Sequence, residues 1–320
     1  MTRSPAVLAI DVGGTSMKGA VVTRDGRPVH VERWPTLAAG DSVGAIVEHL
    51  RALSLVAQDL DLDVVAAGVV TPGMIDEASG TVVYASNLDW RDLPLRALLT
   101  EATGLPVVTG HDVRTAGLAE QLLGAARGVE DFALVTIGTG VAAALVTDGR
   151  PVTGAGGAAG EVGHIPLVPG GEACTCGQFG CLEVYASGAG LARRYAALSG
   201  RSLAAEDVVA RLGVDPDADR VWAEAMAVLA QGPVTATLLL DPTTIVLGGG
   251  FTAAGEALLT PVRTQLTAGL AWRPAPPVRV AELGSQAGWI GAAAMAFRSA
   301  GHADALSSWT RAAFTGAPTP

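Results

Sequence analysis

Residues 6–30 read AVLAIDVGGTSMKGAVVTRDGRPVH, and residues 132–153 read FALVTIGTGVAAALVTDGRPVT. Each stretch is an apolar run, a glycine–threonine turn, a second apolar run and a DGRPV turn. The pattern predicts strand, Gly-rich turn, strand and hairpin end, written twice. DGRPV alone is common hairpin chemistry, but matching strands on both sides of the turn make duplication the stronger reading. Such a chain is expected to build two lobes, each beginning with the same β-unit and each presenting a Gly-rich turn to a cleft.

Between and after the repeats, apolar periodicity alternates. Helical spacing runs over residues 41–60, 93–104 (with Gly104 as the stop), 111–128, 183–199, about 221–240, 254–270 and 288–300. Buried strands are predicted over 63–73, 105–110, 243–250 and 278–283. This alternation predicts α/β layers. The expected division is a smaller lobe over residues 1–112, completed by the C-terminal helix at about 288–303, and a larger lobe over 113–287. The tail, 304–320, carries little core signal and is expected to fray.

Composition narrows the function classes. Apolar residues make up 49% and charged residues 16%, enough to bury a large core. Net charge is −10 with no basic run, which argues against nucleic acid or anionic lipid as the main partner. No uninterrupted apolar run reaches about 18 residues, so no membrane-spanning helix is expected. The opening MTRSPAVLAIDVGG meets acid and glycine too early for a secretory signal. All three cysteines, Cys174, Cys176 and Cys181, fall in one eight-residue window, which is no disulfide framework. The expected setting is the cytoplasm.

Five motifs carry chemistry. Asp11-Val12-Gly13-Gly14-Thr15 brings an acid into a turn whose N–H groups can approach an anion, with Asp11 able to hold Mg²⁺ through water. Lys18, the only lysine, reads locally as a solvent-facing strand residue. Gly138-Thr139-Gly140 is the equivalent turn of the second copy, followed by Val141 and the alanines Ala142–Ala144. Gly248-Gly249-Gly250 follows the apolar TTIVL and could let an adenine and ribose lie flat on the backbone. Three glycine turns at strand ends suit a nucleoside triphosphate, yet the chain has neither a G-x-x-x-x-G-K-[ST] loop nor a G-x-G-x-x-G fingerprint.

His164 followed by Cys174, Cys176 and Cys181 gives the spacing H-x9-C-x-C-x4-C, a donor set for tetrahedral Zn²⁺. Four protein ligands leave no open position, so such a metal is structural. Glu161 and Glu183 flank the cluster and suit the hydroxyls of a polyol. Asp112, at a helix start, reads locally as an N-cap and functionally as a general base. Asn87, in the loop ASNLDW, reads as a turn former or a hydroxyl partner.

Taken together, DVGGT, SNLDW, the helix-start aspartate, GTG with DGRP, EVGH, CTCGQFGCLE and IVLGGG resemble the ROK family of repressors, open reading frames and sugar kinases. The resemblance covers nearly the whole chain. It implies a two-lobed actin-like ATPase (ribonuclease H-like) α/β fold, with ATP and Mg²⁺ on one side of the cleft and a sugar on the other. By position it makes Asp112 the catalytic base on a sugar 6-hydroxyl. Asn87, His111, Glu161, His164 and Glu183 would line the sugar site, His164 also being a zinc ligand. Asp11, Gly13, Gly14, Thr15, Gly138, Thr139 and Gly140 would hold phosphates and Mg²⁺, with Gly249 and Gly250 at the adenosine.

Two departures stand out: His111 where the family usually has Asn, and alanines after GTG where it usually has glycines. The string GHDVRTAGLAE is similar to that of actinobacterial ROK kinases acting on N-acetylglucosamine, which favours that sugar slightly over glucose. The resemblance also implies a homodimer or homotetramer. The alternative is a non-catalytic sugar sensor, motivated by His111 and the alanines, or a sugar-responsive ROK regulator lacking a DNA-binding domain; a DNA-binding repressor is disfavoured because the first strand begins near residue 6 with no basic helix before it.

Overall fold

The computed structural model describes residues 3–36 and 42–315. The chain divides into two compact units. Residues 1–128, 153–159 and 285–320 form the first, and residues 129–152 and 160–284 form the second.

The first unit opens with β1 (Ser4–Val12), β2 (Ser16–Thr23) and β3 (Pro28–Pro35). Helix α1 (Ser42–Asp59) leads to β4 (Leu62–Thr71). A small sheet of β5 (Met74–Asp76), β6 (Thr81–Ala85) and β7 (Trp90–Leu93) follows, then α2 (Leu95–Thr103), β8 (Val107–His111) and α3 (Asp112–Leu123). The main sheet has the order β3-β2-β1-β4-β8. β1, β4 and β8 are parallel, and β2 runs antiparallel to β1. Ala6 to Ile10 are fully buried, as a central strand covered on both faces requires. Ile46, Leu50 and Leu53 of α1 cover one face together with Leu8, Ile10 and Val69. Helix α2 stops at Gly104, left-handed at φ 71°, as the sequence predicts.

The second unit repeats the plan. β9 (Phe132–Ile137), β10 (Val141–Thr147), β11 (Arg150–Pro151), β12 (Thr244–Gly248) and β13 (Val278–Val280) form a sheet of order β11-β10-β9-β12-β13. This is the first unit's order, strand for strand. The duplication read in the sequence is therefore β1–β3 and β9–β11. The copies diverge at the hairpin end: Asp148 and Gly149 both have positive φ, whereas in the first copy only Gly26 does.

Its helices are α4 (Leu182–Ala186), α5 (Gly188–Ser199), α6 (Ala205–Val209), α7 (Pro216–Leu229), α8 (Gln231–Leu240) and α9 (Glu256–Gly269). Tyr195, Trp222, Met226 and Leu258 pack with Val135, Ile137 and Ile245 in the core. The helix expected over 183–199 is broken. Ser187 is extended, and its hydroxyl accepts from Gly190 N at 3.0 Å, so it ends α4 and caps α5. Together α7 and α8, Pro216–Leu240, are long and apolar enough in length and composition to cross a membrane, although no uninterrupted apolar run is present. Half of that window is buried within the protein, with Val221, Trp222, Ala225 and Leu229 in the core.

The chain then returns to the first unit as α10 (Ala287–Ser299), which packs on β1, β4 and α3 and is buried from Ala287 through Ala294. The expectation of a fraying tail is corrected for residues 304–315. A 3₁₀ turn at Ala303–Ser308 and α11 (Arg311–Thr315) carry Trp309 and Phe314, 4% and 1% exposed. Their rings lie 5.3 Å apart, with Phe297 5.9 Å from Trp309 and Trp289 5.9 Å from Phe314. The Trp309 indole donates to Arg24 O at 3.0 Å. Two aromatic anchors in a polar stretch gave no periodic signal. Residues 316–320 of the expected tail lie outside the described residues. Trp309→Ala is expected to cost about 3–5 kcal/mol of stability, read as a lower urea midpoint; an unchanged midpoint would remove this segment from the fold.

Candidate active site

In the first unit the candidate residues collect at the carboxyl ends of the parallel strands, where ligands bind in sheets of this kind. Asp11 is the penultimate residue of β1, and register places it opposite Lys18 of β2. Lys18 Nζ lies 3.8 Å from Asp11 Oδ2, and its side chain is only 19% exposed. The reading of Lys18 as solvent-facing is thereby corrected: cross-strand pairing turns it onto the acid. Burial pushes the Asp11 carboxyl up to about 6, with Lys18 opposing the rise and Asp112 adding to it. At Gly288, in the first turn of α10, an added Cβ would stand 2.5 Å from the Asp11 carboxylate, so only glycine lets the helix seat against it.

The turn after β1 is held by Gly13 N donating to Ser16 O at 3.0 Å and by the Thr36 hydroxyl donating to Gly13 O at 2.6 Å. Gly14 and Thr15 are exposed. Asn87, in the 3₁₀ turn Ser86–Leu88, sets its amide beside this turn: a Cβ on Gly14 would lie 3.9 Å from Asn87 Nδ2.

Asp112 is not the N-cap of α3. That place belongs to His111, whose Nδ1 accepts from Arg114 N at 3.3 Å. Asp112 is the first helical residue, half-buried, with Oδ1 accepting from Val113 N at 2.7 Å and 3.4 Å from His111 Nδ1. Two carboxylates, Asp11 and Asp112, thus share a field containing one lysine, and a divalent cation would relieve that imbalance.

In the second unit, Gly138-Thr139-Gly140 joins β9 to β10. Gly138 N donates to Gly140 O at 2.9 Å, and Gly188 N, at the start of α5, donates to Gly138 O at 2.8 Å. The helix N-terminus therefore lies against the turn, a favourable arrangement for an anion. Glu183 Oε2 accepts from Val141 N at 2.8 Å and rests on Gly140. Ala142–Ala144 are not part of the turn but strand residues of β10, paired in order with Thr136, Val135 and Leu134 of β9. Gly249 has φ 86°, and a Cβ there would stand 2.2 Å from Ile137 O. The third glycine turn is thus backed directly onto the end of β9, just before the second.

His164 ends a 3₁₀ turn over Val162–His164, preceded by Glu161. The ligand atoms of His164, Cys174, Cys176 and Cys181 all lie within 4.8 Å of one another. Cys174 Sγ is 3.8 Å from His164 Nδ1, and Cys176 Sγ is 3.7 Å from Cys181 Sγ. A tetrahedron with Zn–S bonds of about 2.3 Å has edges of about 3.7 Å, so the donor set and spacing fit Zn²⁺.

A family model for the ROK family matches residues 7–299. The chain belongs to the ROK family. Among its relatives, the glucokinase of Halalkalibacterium halodurans is 35% identical, over 89% of this chain and 92% of that one. Two solved structures share the actin-like α/β fold. The ROK hexokinase from Thermus thermophilus has a TM-score of 0.78 at 34% identity, covering 92% of this chain and 98% of that one. The ROK family glucokinase from Streptomyces griseus, in complex with glucose and AMPPNP, has a TM-score of 0.78 at 32% identity, covering 92% and 99%.

The expected ROK site residues thus fall into two sets. Asp11, Gly13, Gly14, Thr15, Asn87, His111 and Asp112 belong to the first unit. Gly138, Thr139, Gly140, Glu161, His164, Glu183, Gly249, Gly250 and the cysteines belong to the second. Sequence reasoning missed Lys18 as the partner of Asp11, Gly288 against it, and Gly188 at the turn. The β1–β2 register held the first signal; the other two glycines are distant in sequence and gave none.

Two outcomes follow from this geometry. The Asp11 pKa is raised on folding, so the proton is held more tightly in the folded state. Stability present below about pH 4 is lost as pH rises towards 6, and above that the ionised carboxylate costs about 3 kcal/mol. Asp11→Asn is therefore expected to raise Tm at pH 8 more than at pH 4; an equal shift at both would contradict the burial argument. Metal analysis of the purified protein is expected to give about one zinc per chain, and Cys176→Ser to lower it; a metal-free protein would overturn the ligand assignment.

Proposed function

We propose that the chain is an ATP-dependent sugar kinase that transfers the γ-phosphoryl group to the 6-hydroxyl of a hexose. The observation that carries this reading is the placement of Asp11 and Asp112 at the carboxyl ends of parallel strands of one sheet, with Asp112 half-buried in the first turn of α3. The relatives named as glucokinases and the neighbour bound to glucose and AMPPNP, an ATP analogue, support the same chemistry.

In this reading Asp112 accepts the proton of the sugar hydroxyl at Oδ2. The hydroxyl oxygen bonds to the γ-phosphorus, the bond to the bridging β–γ oxygen breaks, and ADP leaves. Asp11 and the Gly13–Thr15 turn hold phosphate oxygens and Mg²⁺, which supplies charge neutralisation when bound. Thr139 and Gly140 contribute N–H donors, and Gly249–Gly250 give the adenosine a flat backbone. Asn87, His111, Glu161, His164 and Glu183 bind sugar hydroxyls. Nδ1 of His164 faces the cysteines, so Nε2 is the atom for the sugar. The zinc would hold His164 and Cys181 in place and takes no part in transfer.

For the sugar itself, the string GHDVRTAGLAE at residues 110–120 favours N-acetylglucosamine, and the relatives named for glucose favour glucose. ADP release on a hexose and amino-sugar panel separates them; no stimulation by any sugar would sink the kinase reading and leave the sugar-sensor alternative. Asp112→Asn is expected to retain sugar binding while lowering kcat by about 10²–10⁴-fold; a near-normal rate would remove Asp112 as base.

A further inference from the structure

Two positions beyond Asp112, Arg114 is 3% exposed, although arginine is among the residues least often buried. Its guanidinium is spent on two other segments of the same unit. Nε donates to Glu77 Oε1 at 3.0 Å, in the turn after β5. Nη1 donates to Gly157 O at 2.9 Å and approaches Ala159 O at 3.5 Å. Its own main-chain N–H is the donor that His111 Nδ1 caps. Gly157, at φ 73°, is in turn pressed on β5, since a Cβ there would stand 2.3 Å from Ile75 O.

One side chain therefore ties α3, the β5 turn and the 153–159 segment together, at the helix turn that carries Asp112. A buried guanidinium is costly unless its fork is filled, and here an acid and main-chain carbonyls fill most of it, Nη2 being the exception. A buried ion pair of this kind is weak evidence for net stability, which directs attention to what it positions. The planar guanidinium reaches a carboxylate and a carbonyl through separate nitrogens of one rigid fork, whereas lysine offers a single point charge in its place.

We propose that Arg114, with Glu77, is a positioning residue for the transfer step: it fixes the first turn of α3, and with it the His111 cap and the Asp112 carboxylate, by clamping residues 153–159 and the β5 turn against that helix. This rests on the kinase reading for its kinetic arm only. Misplacement of a catalytic group by about 1 Å can cost roughly 10²-fold in rate, so the effect belongs in kcat.

The test uses the full chain as wild type, Arg114→Ala, Arg114→Lys and Glu77→Gln. Steady-state kinetics are measured with the stimulating sugar and with ATP, and hydrogen exchange is followed at residues 112–116 and 153–159 without ligand. Arg114→Ala is expected to lower kcat by about tenfold or more, with the KM for ATP within about twofold. Exchange should rise in both segments while the amides of β9 and β12 stay protected. Arg114→Lys should recover part of both effects, and Glu77→Gln, which keeps the arginine, should fall between wild type and Arg114→Ala.

Unchanged kcat in Arg114→Ala, or a loss shared equally by kcat and the exchange of β9 and β12, overturns the proposal, the latter showing a purely structural role. If Arg114→Ala does not fold, Glu77→Gln carries the same two readouts. If no sugar stimulates the wild type, the kinase reading fails by itself; local exchange then decides the clamp, and protection equal to wild type in every variant overturns it.

Discussion

Helix α10 lies so close to its neighbours in the first unit that backbone meets carboxylate and backbone meets backbone. A Cβ at Gly291 would stand 2.1 Å from Thr115 O of α3, and one at Gly288 would stand 2.5 Å from Asp11. Interiors are packed as densely as organic crystals, so a single methyl group on this face would have to displace α3 or the acid. The run GWIGAAAMA is the composition such an approach needs. Its consequence is chemical. The helix brings its N-terminus to the Asp11 carboxylate, where the macrodipole offsets part of the cost of burying a negative charge. The same helix sets α3, whose first residue is Asp112. The two acids at the strand ends are therefore placed by one apolar helix from the far end of the sequence.

The charge balance of the chain takes its meaning from that placement. At −10 and with one lysine, the sequence carries no basic run for a polyphosphate. The lysine is occupied by Asp11. Each unit instead offers a Gly-rich turn at a strand end, the turn after β1 in the first and the GTG turn, with the α5 N-terminus against Gly138, in the second. The N–H donors of such turns carry no net charge, so they can sit beside buried carboxylates without collapsing into ion pairs with them.

What the sequence made legible, and what it hid, divides along the range of the signal. The duplicated strand–turn–strand unit was readable because each copy is local, and both sheets have the order that it implies. The cysteine cluster was readable because its donors lie close along the chain. Lys18 was misread because its partner is set by β1–β2 register, not by its own surroundings. The Ser187 break was invisible to periodicity, since apolar spacing continues across α4 and α5 while a capping hydroxyl and a bond from Gly188 to the GTG turn interrupt the backbone. Asp112 looked like a cap because aspartate is a good one, yet His111, one residue earlier, took the position. Trp309 and Phe314 are anchors without a pattern, each finding its partners on α10 or at the β2–β3 hairpin.

Glu183 shows how a metal held by the His164 and cysteine cluster would bear on the rest of the second unit. It follows Cys181 by two residues, and its Oε2 holds Val141 N, the first N–H of β10. A carboxylate engaged in this way fixes the exit of the GTG turn, while Gly188, five residues further on, fixes Gly138 at its entry. Cys181 is fully buried, and its Sγ also contacts His164 O at 3.6 Å. Ligation at Cys181 would therefore set the start of α4, α4 sets Glu183, and Glu183 sets the turn. A metal with four protein ligands has no coordination site for chemistry. The leverage of such a metal on function would be geometric, passed through one short helix to the GTG turn.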